Sequence, residues 1–129
     1  WLGGQGSNVQ IANIEYGYNS EHEDLRSSPT DYAVGWPSGT WTFHGNGVLG
    51  IIIGGDNAYG ITGMAPQSSI LMASPYVNED EYNVAQIIDE TTQELVPGDL
   101  LLIELVPINE FFDRCEIDLI FSLHNRASL

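Results

Sequence analysis

The sequence predicts an α/β fold, a mainly parallel sheet packed between layers of helix, and three observations predict it. Residues 9–14 (Val-Gln-Ile-Ala-Asn-Ile) are apolar at alternate positions and rich in β-branched side chains, the pattern of a half-buried strand. Residues 100–106 (Leu-Leu-Leu-Ile-Glu-Leu-Val) form a near-continuous apolar run stopped by Pro107, as expected of a strand buried on both faces. Between them Val84, Ile87, Ile88 and Leu95 recur at a helical period with Thr91 among them. Strands that alternate with helices imply right-handed β-α-β crossovers, which bury parallel strands under helices.

Composition bounds the rest. A chain of 129 residues, 43% hydrophobic and only 16% charged, suits one domain over residues 1–129 and excludes intrinsic disorder. Eighteen acidic residues face three basic ones, Arg26, Arg114 and Arg126, for a formal charge of −15. Such a surface repels nucleic-acid backbones and anionic membranes, so neither partner is expected. The longest apolar runs, 48–53 and 100–103, are far short of a spanning helix. The single cysteine, Cys115, allows no intrachain disulfide, marks no redox compartment, and reads as a small buried hydrophobe. Trp1 stands where a methionine would open a chain and no signal-peptide pattern follows, so a processed or longer parent chain is expected.

Each element has its own signal. The first strand ends in a polar loop at Gly17-Tyr18-Asn19-Ser20, and residues 20–42 run on without a period, which predicts a long surface loop with a site at its edges. Residues 44–54 are apolar on nearly every side, which leaves helix and strand equally open, and their glycines imply tight packing in either case. Residues 69–73 make a short apolar run. Asn78-Glu79-Asp80-Glu81 has the spacing of an N-cap with an acid at the third position, so a helix is expected to start there and to end at Pro97-Gly98. Phe112, Cys115, Leu119, Ile120 and Leu123 fall at helical spacing and predict a final helix.

Three constellations bear on chemistry. Residues 45–50 satisfy G-x-G-x-x-G, but 37–43 make a poor buried strand and no acid lies near Ile70, so the context for a dinucleotide is missing. Glu21-His22-Glu23-Asp24 resembles a metal cluster, yet consecutive side chains diverge, and a solvated turn is the expectation. The carboxylate count would allow a structural calcium ion, but no loop shows alternating ligands and no cofactor is indicated. The third is Glu15, after the first strand, with His44, after the long loop. An acid and a histidine at the carboxyl edge of a parallel sheet stand where open α/β folds place active sites. A carboxylate that holds one imidazole nitrogen leaves the other to deprotonate a nucleophile.

Four blocks in order carry a family resemblance: residues 11–17 (Ile-Ala-Asn-Ile-Glu-Tyr-Gly), 22–25 (His-Glu-Asp-Leu), 44–52 (His-Gly-Asn-Gly-Val-Leu-Gly-Ile-Ile) and 60–66 (Gly-Ile-Thr-Gly-Met-Ala-Pro). Together they resemble the N-terminal half of the catalytic domain of subtilisin-like serine peptidases, from about residue 9 to 105. The resemblance implies an incomplete subtilisin-like three-layer sandwich, with Glu15 in the place of the triad aspartate and His44 in that of the triad histidine. It also implies a peptide or protein substrate once the domain is completed, a secreted setting, and self-association through the half left uncovered.

The departures are equally specific. Glu15 is one methylene longer than aspartate, and the family's substrate strand corresponds to Leu105-Val106-Pro107, where proline lacks an amide for peptide pairing. No serine follows a Gly-Thr, so this chain has no recognisable nucleophile. In the family's order of acid, histidine, serine the third member is expected beyond Leu129. The expected function is therefore serine endopeptidase chemistry in a fragment inactive alone. The alternative is a degenerate homologue that serves as a non-catalytic binding or structural domain.

Overall fold

The computed structural model describes residues 4–25, 30–105 and 117–122. β1 (Gln10–Ile14) lies at the centre of a five-stranded sheet, with β3 (Ser69–Ala73) on one side and β6 (Leu100–Leu105) on the other, both parallel to it. β2 (Thr30–Val34) extends the sheet beside β3, again parallel, and β7 (Ile117–Ser122) closes the other edge antiparallel to β6. The order β2-β3-β1-β6-β7 means that the chain winds away from β1 on one side and then returns to its other side. The expected α/β fold with a mainly parallel sheet is present.

Among the described residues two helices cover the two faces. Along β1 the odd positions look one way and the even positions the other, as the pleat requires. Ile11 joins Ile70, Met72 and Leu102 against Leu49 and Ile53 of α1 (Thr42–Ile53) and Leu25 of the preceding turn. Ala12 and Ile14 join Leu71, Ala73, Leu101 and Ile103 against Ile87 of α2 (Val84–Gln93) and Leu95. Among the described residues no helix is long and apolar enough to cross a membrane.

Four expectations need correction. The loop expected over 20–42 contains β2, whose Thr30, Tyr32 and Val34 alternate; Pro29 and Asp31 mask that alternation, and only a pairing partner, β3, makes it a strand. The helix expected from Asn78 starts six residues later. Residues 76–82 instead form a small hairpin of β4 (Tyr76–Asn78) and β5 (Glu81–Tyr82), in which the Asn78 side chain accepts from the Asp80 amide at 3.1 Å. Asn83 caps α2, accepting the Gln86 amide at 3.2 Å. Asparagine serves a turn as readily as a helix start, so local spacing alone chose the wrong one of two.

Leu95 lies beyond the helix, which ends at Gln93, although it still packs into the same core. The final helix is also replaced. Residues 117–122 pair with β6 over six registered positions, from Ile117 with Leu105 to Ser122 with Leu100. A short run of Ile, Leu and Phe has no period of its own, and the unpaired edge of β6 decides its state. Phe112, Cys115 and Leu123 of that expected helix, together with Val106 and Pro107, lie outside the described residues. For α2, Asn83→Ala should lower stability by about 1 kcal/mol in urea denaturation, whereas Asn78→Ala should leave the helix intact by circular dichroism.

Candidate active site

β1 is the strand at which the winding of the sheet reverses, and the carboxyl ends of such strands frame a crevice in open α/β folds. Glu15 is the first residue past that end. Its amide still donates to Ala73 O of β3 at 3.0 Å, so its backbone is held by the sheet rather than by a loop. Its side chain follows the odd positions of β1 toward the α1 face, and it is fully buried. Oε1 accepts the Tyr16 amide at 2.7 Å, and Oε2 lies 2.5 Å from Nδ1 of His44.

His44 arrives on the first turn of α1, with its amide donating to Trp41 O at 2.9 Å. Its side chain is 42% exposed, so one ring edge meets the buried carboxylate and the other faces outward. The two residues singled out in the sequence are therefore in direct contact. Trp41, at the N-cap, adopts a left-handed backbone with φ 54° and makes no side-chain capping bond. A bulky residue in that conformation stores strain, which the surrounding contacts hold in place.

The contact depends on glycines. A Cβ built on Gly45 would lie 2.1 Å from Gly17 O and 3.1 Å from Cγ of Glu15, and one on Gly17 would lie 2.7 Å from Thr40 O. Three backbone segments thus meet at distances that only glycine permits. Hydrogen bonds fix the same junction. Ser38 Oγ donates to Tyr16 O at 2.7 Å and lies 2.9 Å from Thr40 Oγ1, while Asn46 Oδ1 accepts the Asn19 amide at 2.7 Å. Sequence reasoning found the pair but not these supports.

Burial raises the Glu15 carboxyl above the usual carboxylate range, and it outweighs the Tyr16 amide and His44, which both pull it down. Burial, and next its hydroxyl contact with Tyr82, likewise makes Tyr16 a weaker acid than an ordinary phenol. Tyr16, Tyr76 and Tyr82 form a ring cluster that ties the β4–β5 hairpin to this end of the sheet.

The other constellations resolve differently. Gly45, Gly47 and Gly50 all lie inside α1, so they form no strand-to-helix phosphate turn. Gly50 admits the Ile61 side chain, whose Cδ1 would be 2.8 Å from a Cβ there. Residues 21–25 do form a turn, but Asp24 is buried rather than solvated. Its Oδ1 accepts the Ile61 amide at 3.2 Å and its carbonyl accepts the Gly55 amide at 2.9 Å, which pins the loop after α1. Among the described residues no three His, Cys, Asp or Glu side chains gather as a metal site. The chain matches no known family model and no curated protein sequence.

Proposed function

We propose that this chain carries the acid and the general base of a serine peptidase of the subtilisin-like type, with Glu15 orienting His44. The observation that carries the reading is the 2.5 Å contact between a fully buried carboxylate and a half-exposed imidazole at the switch point of a parallel sheet. With Nδ1–H directed at Glu15, Nε2 is the basic nitrogen. It would take the proton of an attacking serine hydroxyl and return it to the departing amine, while Glu15 stabilises the imidazolium between the two steps. The order of the four blocks and the subtilisin-like arrangement they imply support the same reading.

Among the described residues no serine hydroxyl is a hydrogen-bond partner of His44, and Ser38, in the nearby loop, is engaged by Tyr16 O. In this reading the nucleophile is a serine beyond Leu129, as the family's order of acid, histidine, serine implies. A second reading, a scaffold that keeps the pair without hydrolysing peptides, is favoured by the full burial of Glu15, which raises its carboxyl and works against the anion that would orient His44.

A fluorophosphonate probe separates the two. The 129-residue chain should take no label, and the chain extended through a Gly-Thr-Ser segment should label at that serine. His44→Ala should abolish the labelling and Glu15→Gln should reduce it on the order of 10⁴-fold. Labelling of the short chain, or labelling of the extended chain that is indifferent to His44, refutes the proposal.

A further inference from the structure

We propose that Asn13 is a positioning residue of the Glu15–His44 pair: when the Glu15 carboxyl takes up a proton, the side-chain oxygen of Asn13 accepts its O–H and draws the carboxyl off the imidazole. Asn13 stands on β1 two residues before Glu15, so the pleat turns both side chains to the α1 face. Both are fully buried. Across the sheet Asn13 is in register with Met72 of β3 and Leu102 of β6, in a core that Ile11, Ile70, Leu49 and Ile53 make apolar. Its Nδ2 lies 4.0 Å from Sδ of Met72, a weak acceptor, and its Oδ1 has no hydrogen-bond partner. An amide oxygen left without a donor in such a place is costly, and buried amides are nearly always satisfied. Glu15 is a donor in one protonation state alone: ionised it only accepts, and protonated it carries one O–H.

The existing hydrogen bonds leave Oε2 as the oxygen that moves. Oε1 accepts the Tyr16 amide at 2.7 Å in either state, whereas Oε2 meets Nδ1 of His44 at 2.5 Å. Once carboxyl and imidazole both carry a proton, Oε2–H and Nδ1–H present two donors to each other. One of them has to turn away. The His44 side chain, 42% exposed, turns to water, and the buried carboxyl turns to Asn13. The other titratable groups around this end of β1 are Tyr16 beside Glu15, Tyr18 and Asp24 in the turn packed on the same core, and Glu104, half-buried near the end of β6 on the α1 face. β3 contributes none. Among them all, His44 alone has a charge that acts on the Glu15 carboxyl, and burial of that carboxyl favours the protonated state in which Asn13 is engaged. The switch is a property of the contact and does not depend on His44 being a general base.

Carbon-13 NMR of the 129-residue chain, titrated upward from about pH 4, reads both partners in the wild type. The Asn13 side-chain carbonyl should shift with the same midpoint as the Glu15 carboxyl, whose resonance Glu15→Gln identifies by its loss, and in Glu15→Gln the Asn13 signal should stay flat. Asn13→Leu keeps the volume and removes the acceptor, so the Glu15 midpoint should fall by about one pH unit, a tenfold loss of proton affinity. Asn13→Val serves if leucine disturbs the thermal melt, since a β-branched residue suits a central strand. The sign is decisive. A replacement that merely makes the surroundings of a buried carboxyl more apolar raises its midpoint, because the anion is then less well solvated. An Asn13 carbonyl that ignores the Glu15 titration, or a midpoint that stays or rises in the variant, would overturn the proposal. Fluorophosphonate labelling tests catalysis by His44 separately, so either idea can fail alone.

Discussion

Gly45→Ala should destabilise the protein by about 3 kcal/mol, the upper end of what one added methyl group costs in a packed interior. Its Cβ would press on Gly17 O at 2.1 Å, and a backbone carbonyl in a braced turn cannot rotate aside as a side chain would. Relief has to come from moving α1 away from the carboxyl end of β1, which separates His44 from Glu15. Two measurements on one variant therefore move together: the urea midpoint falls, and the ¹⁵N shift of His44 Nδ1 loses its response to the carboxylate. Gly47→Ala is the contrast. The same substitution two residues on meets open space within an exposed helix interior, and should stabilise the dilute protein by about 0.8 to 1 kcal/mol through helix propensity. Equal effects at the two positions would show that the close approach at Gly45 is not what holds the pair together.

Glu15→Gln should change the way stability depends on pH. Because burial raises the Glu15 carboxyl in the folded state, the native protein binds this proton more tightly than the unfolded chain does. Stability then falls as pH rises: the contribution is fully present below the unfolded value near 4.5 and is lost as pH passes through the higher folded value. Each unit of such displacement is worth about 1.4 kcal/mol. Glutamine keeps the acceptor for the Tyr16 amide but cannot ionise. The difference between the two proteins in urea stability, followed from pH 4 upward, should therefore turn progressively in favour of Glu15→Gln. A difference that moves toward wild type with rising pH would mean that His44 and Tyr16 outweigh burial and that the site is built to hold the anion.

What could be read in the sequence follows from where information is local. β3 and β6 were legible as runs because their residues are mostly buried on both faces, and β1 was legible by its alternating apolar, β-branched positions, although Ala12 and Asn13 are buried as well. Glu15 and His44 were legible because each stands at the edge of such a run. β2 and β7 were not, since an edge strand takes its identity from the strand it pairs with, as Ile117–Ser122 does from β6. The start of α2 was misplaced between two asparagines with equal local claims, and only the hairpin formed by Tyr76–Asn78 and Glu81–Tyr82 assigns the turn to one and the cap to the other. The braces of the site, Ser38 on Tyr16 and Asn46 on Asn19, join residues distant in sequence by polar groups common in any loop.

The place of β1 in the sheet also orders events during synthesis. Of the strands described it is the first in sequence and the one most deeply embedded, yet neither neighbour is close by in the chain: Ile11 pairs with Ile70 and with Leu100. Local pairing cannot form the middle of this sheet, so its closure requires long loops to be drawn in before any ladder compensates them. Until residues 100–105 emerge, β1 has one open edge and Glu15 has no finished interior around it. Burial of the carboxylate therefore needs two events, the docking of α1 over it and the emergence of the strand that completes the sheet beneath it.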